Sequence, residues 1–387
     1  MKTKYLFGFL SLFAAFPAAA GEWNFAAFPA AAGEWNFDAS GSASALYGYS
    51  DVDRRYEKLN DNNHTPSETE ISLSAEYTFD DNAYRAGFYL DAMAGADKEL
   101  EDYTQGKWGE EAYAILDTPY GRVMGGQTWN VAYQFGVGAP SVGPLGVNNS
   151  DIVDFIANPN WRRNKTGTAF RTLNSTDINT DGTAPKISYI TPEFYQTVVG
   201  LTYVPDIYSR AGLVSRYADY KNEDGYVAAL YNHAEFGSLS LETSLGFAVF
   251  ADDDREFSAG MSLSRGNWTF GGSYRRTCVD GSDYPQNVRR KPQRMPDGFD
   301  GYREGYAWNV GVSYAFGPYQ AGLSYFNSKA DHAGNEDRIV QFSNQYRLNK
   351  YTDLYLIAAH VDYRGADDDV RGNAKGYAFI AGVGFNF

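Results

Sequence analysis

Hydrophobic and polar residues alternate along most of this chain with a period of two. The last residues show the pattern clearly, because Tyr377, Phe379, Val383, Phe385 and Phe387 share one parity while small or polar residues fill most of the other. A period of two places the two sets of side chains on opposite faces of an extended strand. The C-terminus is therefore predicted to be a β-strand whose apolar face must be covered or surrounded.

The same alternation predicts an all-β chain of sixteen antiparallel strands, each about the length of roughly 9–11 residues that a tilted strand needs to cross a bilayer. The connections are alternately short turns and longer polar loops, which is typical of an outer-membrane β-barrel with short periplasmic turns and long external loops. Closure of such a barrel removes its exposed strand edges. The predicted strands are 37–50, 69–79, 82–93, 110–117, 120–128, 185–192, 194–204, 223–234, 238–250, 256–265, 266–276, 304–316, 318–328, 338–348, 351–363 and 375–387.

A soluble β-sandwich is the alternative, since its strands also alternate, but its connections need not sort into short and long sets. Aromatic residues near the predicted strand ends favour the barrel, because membrane barrels carry aromatic girdles at both interfaces. These residues are Tyr77, Phe79, Tyr274, Phe316, Tyr319, Tyr346, Tyr351 and Tyr363.

The N-terminus has the pattern of an export signal. Lys2 and Lys4 precede an apolar stretch from Tyr5 to Phe16, and Ala18 to Ala20 supplies the small residues of a cleavage site. Residues 1–20 are therefore predicted to be a signal peptide that is absent from the folded protein.

A short duplication follows the signal. Residues 13–24 recur unchanged as residues 25–36, and the copy creates an alternative cleavage site after residue 32. Termini tolerate such changes well. We interpret residues 21–36 as an N-terminal extension and residues 37–387 as the barrel.

Composition narrows the class of protein further. The chain has 387 residues with 31 Tyr and 40 Gly, a bias that favours β-structure. Removing the two lysines of the signal changes the net charge from −15 to −17, so nucleic acid is not an expected partner. The single cysteine, Cys278, allows neither an internal disulfide nor a cysteine-based metal site.

Four stretches resemble the general diffusion porins of Gram-negative (proteobacterial) outer membranes, and together they extend over essentially the whole mature chain. The resemblance implies an outer-membrane homotrimer of barrels, each with a water-filled pore for passive diffusion of small hydrophilic solutes and ions. The stretches are AYAILDTPYGRVMGGQ (Ala112 to Gln127), KISYITPEF (Lys186 to Phe194), YRLNKYTDLYLIAAHVDY (Tyr346 to Tyr363) and the terminal GVGFNF.

The resemblance also implies that the third long loop, residues 129–184, folds into the lumen and narrows it. It further implies that Phe387, Phe385 and Val383 form the signal read by the barrel assembly machinery during biogenesis. Membrane lipid and lipopolysaccharide are the other expected partners of such a barrel.

Charged residues in that loop and on the wall predict the pore constriction. Asp151 and Asp154 are three residues apart, so one helical turn would place both carboxylates on one face. Carboxylates opposite guanidinium groups would create a transverse field that favours polar solutes over bulky apolar ones. The expected basic partners are Arg85, Arg162, Arg163, Arg171 and Arg275. Strand parity adds further lumen-facing charges, namely Glu70, Glu76, Asp91, Arg122, Lys186 and Arg347. The acidic chain favours a weak preference for cations.

Three other functions remain open from the sequence. A substrate-specific channel would need a saturable lumen site, and an adhesin or phage receptor would use the external loops. A barrel enzyme would need a base, for which His360 is the candidate because we expect it to face the lumen beside Asp362. No nucleophile-elbow or metalloprotease motif is present, so we expect no enzyme activity.

No cofactor or metal is predicted, apart from a weak calcium signal at two acidic runs in external loops. These runs are Asp252 to Asp254 and Asp367 to Asp369. Neither run has the glycine and terminal glutamate of an EF-hand loop, so a solvated acidic loop is the favoured interpretation.

Overall fold

A computed structural model describes twelve segments of the chain. The export signal, the basic candidates Arg162, Arg163 and Arg171, and residues 367–369 of one acidic run lie outside them. The described residues are 34–53, 63–64, 67–79, 83–95, 111–156, 158–161, 172–207, 224–250, 254–278, 304–331, 334–365 and 373–387.

The described residues form a closed antiparallel barrel of sixteen strands, which confirms the predicted fold class. Each strand pairs with the next, and a further two-residue strand, Asn63–His64, pairs with the first. The strands are β1 Glu34–Val52, β2 Ser67–Thr78, β3 Arg85–Gly95, β4 Glu111–Thr118, β5 Gly121–Gln127, β6 Pro185–Ile190, β7 Thr197–Val204, β8 Gly225–Phe236, β9 Leu239–Phe250, β10 Asp254–Arg265, β11 Trp268–Cys278, β12 Gly305–Phe316, β13 Tyr319–Ala330, β14 Glu336–Asn349, β15 Thr352–Arg364 and β16 Ala374–Asn386.

Strand β1 closes the barrel by changing its partner along its length. Residues 34–45 pair with β2, and residues 42–52 pair with β16. Two backbone hydrogen bonds of 3.0 Å between Gly41 and Phe387 fix the end of the chain at this seam. Because β1 begins at Glu34, the last residues of the duplicated segment are part of the barrel wall.

The outward face of the strands is apolar and aromatic. On β12, Tyr306 and Phe316 stand at opposite ends of this face. A rise of about 3.3 Å per residue and a strand tilt of about 40° separate them by about 25 Å along the membrane normal, the height of the apolar band of such barrels. Near the short turns, rings on the same strand or on neighbouring strands form a row with centroids 4.6 to 5.7 Å apart, which consists of Trp268, Tyr314, Phe316, Tyr319 and Tyr346.

Two side chains near the outer end of β15 point opposite to their predicted direction. Tyr363 faces the interior and is 1% exposed, so it belongs to no girdle. The expectation that His360 faces the lumen is also wrong. Its ring packs on Tyr377, with centroids 4.6 Å apart, and Tyr377 is 53% exposed on the outward face. His360 shares the outward parity of Leu356 on the same strand, and polar groups are tolerated there at the ends of membrane strands.

Residues 128–184 connect β5 to β6, and we call them the lumen loop. The described part of the loop, 128–156, 158–161 and 172–184, contains one short helix, α1 (Val131–Gln134), and two 3₁₀ turns, Asp151–Asp154 and Pro159–Trp161. The side chain of Asn130 caps α1 by accepting hydrogen bonds from the backbone N–H groups of the second and third helical residues. No helix within the described residues is long and apolar enough to span a membrane.

Inward-facing glycines bring the lumen loop close to the wall. A Cβ atom added at Gly260 of β10 would lie 1.8 Å from the carbonyl oxygen of Val137, and one at Gly271 of β11 would lie 2.3 Å from that of Gly138. No real Cβ atom could occupy either position without moving the loop backbone. The loop therefore runs across the inner surface of the wall, and its backbone is in direct contact with Gly260 and Gly271.

Apolar packing holds the rest of the lumen loop against the wall. Near α1, loop residues Val131 and Ile178 pack in one cluster with inward-facing residues of β7, β8 and β9. Beyond α1, Phe155 and Ile156 are completely buried in a second cluster with inward-facing residues of β12 to β16 and β1. The interior along these strands is a packed core rather than open space.

Candidate pore constriction

The lumen loop is anchored at its root by a buried ion pair. Lys186 of β6 lies 3.0 Å from the carboxylate of Asp181, and both side chains are completely buried. The Lys186 ammonium also donates hydrogen bonds to the carbonyl oxygens of Thr128 and Gly182, which are 2.5 and 2.7 Å away. Lys186 lies on the inward face of β6, where it joins the two ends of the loop and does not line a water-filled passage.

Arg275 also differs from its predicted role at the constriction. Its side chain is completely enclosed beneath the lumen loop, where Nη2 lies 2.7 Å from Glu256 Oε2 on the neighbouring strand. Its Nη1 donates to the carbonyl oxygen of Asp177 at 2.6 Å and to Asn179 Oδ1 at 2.7 Å. An enclosed guanidinium with these partners fixes the returning part of the loop to the wall.

A third polar anchor holds the loop near the outer end of β14. Asp337 is completely buried, and its carboxylate accepts hydrogen bonds from the side-chain amides of Asn158 and Asn160 at 2.7 and 2.6 Å. The hydroxyl of Thr172 also donates to it. Because several donors converge on one carboxylate, this part of the loop is held to the wall by charge-assisted hydrogen bonds.

Asp151 and Asp154 lie at the two ends of one 3₁₀ turn. Between them, Ile152 and Val153 are buried, so the turn is packed on its apolar side. Asp151 Oδ2 accepts a hydrogen bond from the backbone N–H of Gly146 at 2.7 Å. Their predicted partners Arg162, Arg163 and Arg171 lie outside the described residues, and the pairing stays a prediction.

The inner face of β2 to β5 carries charges that remain accessible. At the short-turn end, Arg85 lies 3.0 Å from Asp117 and 3.8 Å from Glu76, and Arg122 lies 2.6 Å from Asp117. The side chains of Arg85, Arg122 and Glu76 are 47%, 41% and 32% exposed. The predicted residues Arg85, Arg122 and Glu76 therefore line an accessible part of the interior.

A second group of acidic residues lies on the same strands, farther from the short turns. Asp91 of β3 pairs in register with Glu111 of β4 and with Ser72 of β2, which shares the inward parity of Glu70. Glu111 accepts hydrogen bonds from the Thr128 hydroxyl at 2.7 Å and from the Trp129 backbone N–H at 3.1 Å, so it also meets the start of the loop.

Glu111 and Asp117 were missing from the predicted set of lumen charges. The alternation along β4 carries their signal, since Glu111, Tyr113 and Asp117 share one parity opposite the apolar Leu116. Arg347, the remaining predicted charge, lies 3.5 Å from Asp353 near a short turn and is 67% exposed, so it stands at the rim.

Two loop carboxylates have altered acidity because they are buried. Burial raises the pKa of Asp177 to about 6, although the nearby Arg275 opposes the change. Burial likewise raises the pKa of Asp181, against the stabilising effect of Lys186 on its charged form. The Asp181 carboxylate belongs to the ion pair at the root of the loop, whereas Asp177 contributes its backbone carbonyl to the contacts of Arg275.

Metal binding finds no support in the parts of the chain that the structure describes, where no group of three or more His, Cys, Asp or Glu side chains could hold an ion. Of the two acidic runs, only Asp254, the first residue of β10, lies within these parts.

Comparison with solved structures identifies porins of similar fold. The anion-selective porin from Comamonas acidovorans gives a TM-score of 0.59 at 16% identity, covering 92% of this chain and 100% of that chain. The in-vitro folded trimer form of OmpT from Vibrio cholerae gives 0.56 at 14% identity, covering 91% and 99%. A mutant of the Rhodopseudomonas blastica porin gives 0.52 at 15%, covering 91% and 100%. A search of curated proteins gave no match.

The family model described as Gram-negative porin matches residues 12–366. This match includes fifteen complete strands, the lumen loop and both groups of inward-facing charges on β2 to β5. The chain therefore belongs to the Gram-negative porin family and forms an outer-membrane channel for passive diffusion.

Proposed function

We propose that the aqueous passage runs between the lumen loop and the inner wall of β2 to β5, and that it admits small hydrophilic solutes with a weak preference for cations. The observation that carries the proposal is a contrast in exposure among inward-facing cations. Arg85 and Arg122 are 47% and 41% exposed, whereas Lys186 and Arg275 are completely buried under the loop. Water therefore has access to the first pair only.

The sign of the selectivity follows from the charges on this part of the wall. Among the residues of this wall whose side chains the structure describes, five carboxylates share the inner face with two guanidinium groups, and fixed charge of one sign raises the local concentration of the opposite ion. One similar structure is described as anion-selective, but an identity of 16% supports the fold alone. The carboxylates are Glu70, Glu76, Asp91, Glu111 and Asp117, and the guanidinium groups are Arg85 and Arg122.

We also propose that the channel assembles as a homotrimer in contact with membrane lipid and lipopolysaccharide. OmpT of Vibrio cholerae is described in a trimer form. Here the outward face near the barrel seam exposes Phe37 at 73% and Phe88 at 64%, an apolar surface that a second copy or lipid would cover. At the same seam Phe387 and Phe385 are 62% and 48% exposed, and therefore accessible to the assembly machinery.

Single-channel recording in a planar bilayer with a potassium chloride gradient tests the proposal. We expect conductance steps in groups of three and a reversal potential of cationic sign. Glu76→Gln should reduce the ratio of cation to anion permeability, and more so at low salt, because the Debye length grows to about 30 Å at 0.01 M. Glu193→Gln, on an exposed short turn, is the matched control and should leave the ratio unchanged.

A barrel that does not conduct would contradict the passage itself. An anionic reversal potential would contradict the assignment to the acidic wall of β2 to β5. An unchanged ratio in Glu76→Gln would place the passage elsewhere.

A further inference from the structure

A cavity of about 530 Å³ lies against the inner wall beside the lumen loop, away from the acidic wall of β2 to β5. Its roof is the loop segment 134–138, and its other sides are Tyr231 of β8, Glu242 of β9 and Ser262 of β10. We call this space the side cavity. None of the predicted constriction residues lines it.

The position of the side cavity follows from the contacts of its roof. The backbone N–H of Val137 donates to Ser244 Oγ at 3.1 Å, and the Val137 carbonyl covers Gly260. Glu242 and Ser262 each lie two residues nearer a short turn than these contact points. The side cavity therefore lies on the short-turn side of the loop, which is the periplasmic side of an outer-membrane barrel.

The side cavity contains one accessible carboxylate with no strong cationic partner. Glu242 is 40% exposed; its Oε1 accepts a hydrogen bond from the Tyr231 hydroxyl at 2.7 Å and lies 3.6 Å from His233 Nδ1. The described residues that line the cavity include no Lys or Arg. The cavity therefore carries negative charge, and a ligand ammonium group could complete it.

Two aromatic rings stand beside this carboxylate. The rings of Phe135 and Tyr231 have centroids 6.2 Å apart and are tilted by 48°. Aromatic faces attract cations and also bury apolar carbon. A bare metal ion would use the carboxylate alone, whereas an organic cation would use the carboxylate and the rings together.

We propose that the side cavity is a binding subsite for small organic cations, with the ammonium group on Glu242 and the apolar part against Phe135 and Tyr231. This inference rests on the proposed aqueous passage, because the ligand must reach the cavity through the lumen. Such a subsite would make the permeation of organic amines saturable, whereas small inorganic ions would pass without binding to it.

The test is block of single-channel current by phenethylammonium chloride in the full-length protein. We expect brief, saturable current interruptions, stronger when the probe is added from the periplasmic side. Ethylammonium lacks the ring and 2-phenylethanol lacks the charge. Each should therefore block with an affinity at least about tenfold lower than that of phenethylammonium. Isothermal titration of the detergent-solubilised protein measures the same affinities without requiring conductance.

Variants separate the charge from the packing. Glu242→Gln should weaken phenethylammonium binding about tenfold or more, since a charged hydrogen-bond partner is lost. Tyr231→Phe keeps the carboxylate and the ring, so binding should persist within a few-fold. Glu235→Gln is the matched control, because Glu235 is 69% exposed at the turn and does not line the cavity.

Open channels that phenethylammonium neither blocks nor binds would overturn this inference and leave the proposed function intact. Equal block by 2-phenylethanol, or unchanged affinity in Glu242→Gln, would also overturn it. A protein that does not conduct would instead contradict the proposed passage, and titration would then decide whether the subsite exists.

Discussion

The two halves of the inner wall use the same residue types for different purposes. On β2 to β5, Arg85 and Arg122 stand in accessible space beside Glu76 and Asp117. On β6 and β11, Lys186 and Arg275 have the same inward parity but are sealed beneath the lumen loop. Inward parity alone therefore does not make a residue part of the pore, because the loop decides which charges meet water.

The energetics of the two halves differ in the same way. An accessible ion pair contributes only about 0–1 kcal/mol, so the charges of β2 to β5 can be altered for selectivity at little cost in stability. A buried charge must keep its partner, because removing one member of a buried pair leaves the other uncompensated. Substitutions in the half of the wall that the loop covers, which includes β6 and β11, should therefore change the stability of the protein. Substitutions in the accessible half, β2 to β5, should instead change permeation.

The largest expected effect is on the root of the loop. Lys186→Met leaves the Asp181 carboxylate buried without its cation, which should lower the free energy of unfolding by about 3–5 kcal/mol. Denaturant unfolding in detergent, followed by tryptophan fluorescence, measures this loss.

The double variant Lys186→Met/Asp181→Leu is the control for the loss of charge balance. Replacing both members of a buried pair with apolar residues is far milder than breaking it. We therefore expect the double variant to recover most of the stability. A single variant as stable as the double would mean that the pair does not anchor the loop.

A smaller effect is expected where the loop touches the wall without any charge. Gly260→Ala would place a Cβ atom 1.8 Å from the Val137 carbonyl oxygen, so the loop must move. Overpacking of this kind costs about 1–3 kcal/mol, and a displaced loop should also make the single-channel current noisier. Gly125→Ala is the matched control, because a Cβ there meets nothing within 4 Å. Equal behaviour of the two variants would rule out close backbone contact at Gly260.

The smallest expected effect is a dependence on pH within the covered half. Burial raises the pKa of Asp177 to about 6, so the folded protein holds this proton more tightly than the unfolded chain. The resulting stabilisation is complete below about pH 4 and is lost as the pH rises through about 6.

Relative to the unmodified protein, Asp177→Asn should therefore gain about 1 kcal/mol of stability as the pH rises from 4 to 7, which is less than the full change in pKa corresponds to because the side chain is only half-buried and solvent screens its charge. Thermal unfolding at both pH values measures the difference. Asp51→Asn, at an exposed position on β1, is the control for a change in net charge. A difference that stays constant between pH 4 and 7 would contradict the raised pKa.

The sequence predicts most of the barrel because its alternation is local. Strands β8 to β16 begin and end within a few residues of their predicted limits. The prediction is less accurate between β6 and β7, where Tyr195 and Gln196 have positive φ angles of 48° and 60° and the second strand starts only at Thr197. Neither residue type marks such a conformation, so the longer turn left no signal in the sequence.

The candidate site is less predictable because it depends on contacts between distant segments. Parity placed Arg275 on the inner face, but its burial depends on where residues 175–180 return to the wall. The wall glycines likewise look like ordinary small residues of alternating strands until the loop lies on them. The sequence prediction places His360 in the lumen beside Asp362, whereas its neighbours on both adjacent strands, Val340 and Tyr377, face outward.

The seam at β1 has a consequence for how the protein is made. Ser42 of β1 pairs with Asn386 of β16, so the first strand of the barrel can complete its pairing only with the last strand. Contacts between such distant residues form slowly, and until then both terminal strands present unpaired edges. A chain that lacks the last strand would therefore leave the edge of β1 from Ser42 to Val52 unpaired, and the barrel would stay open.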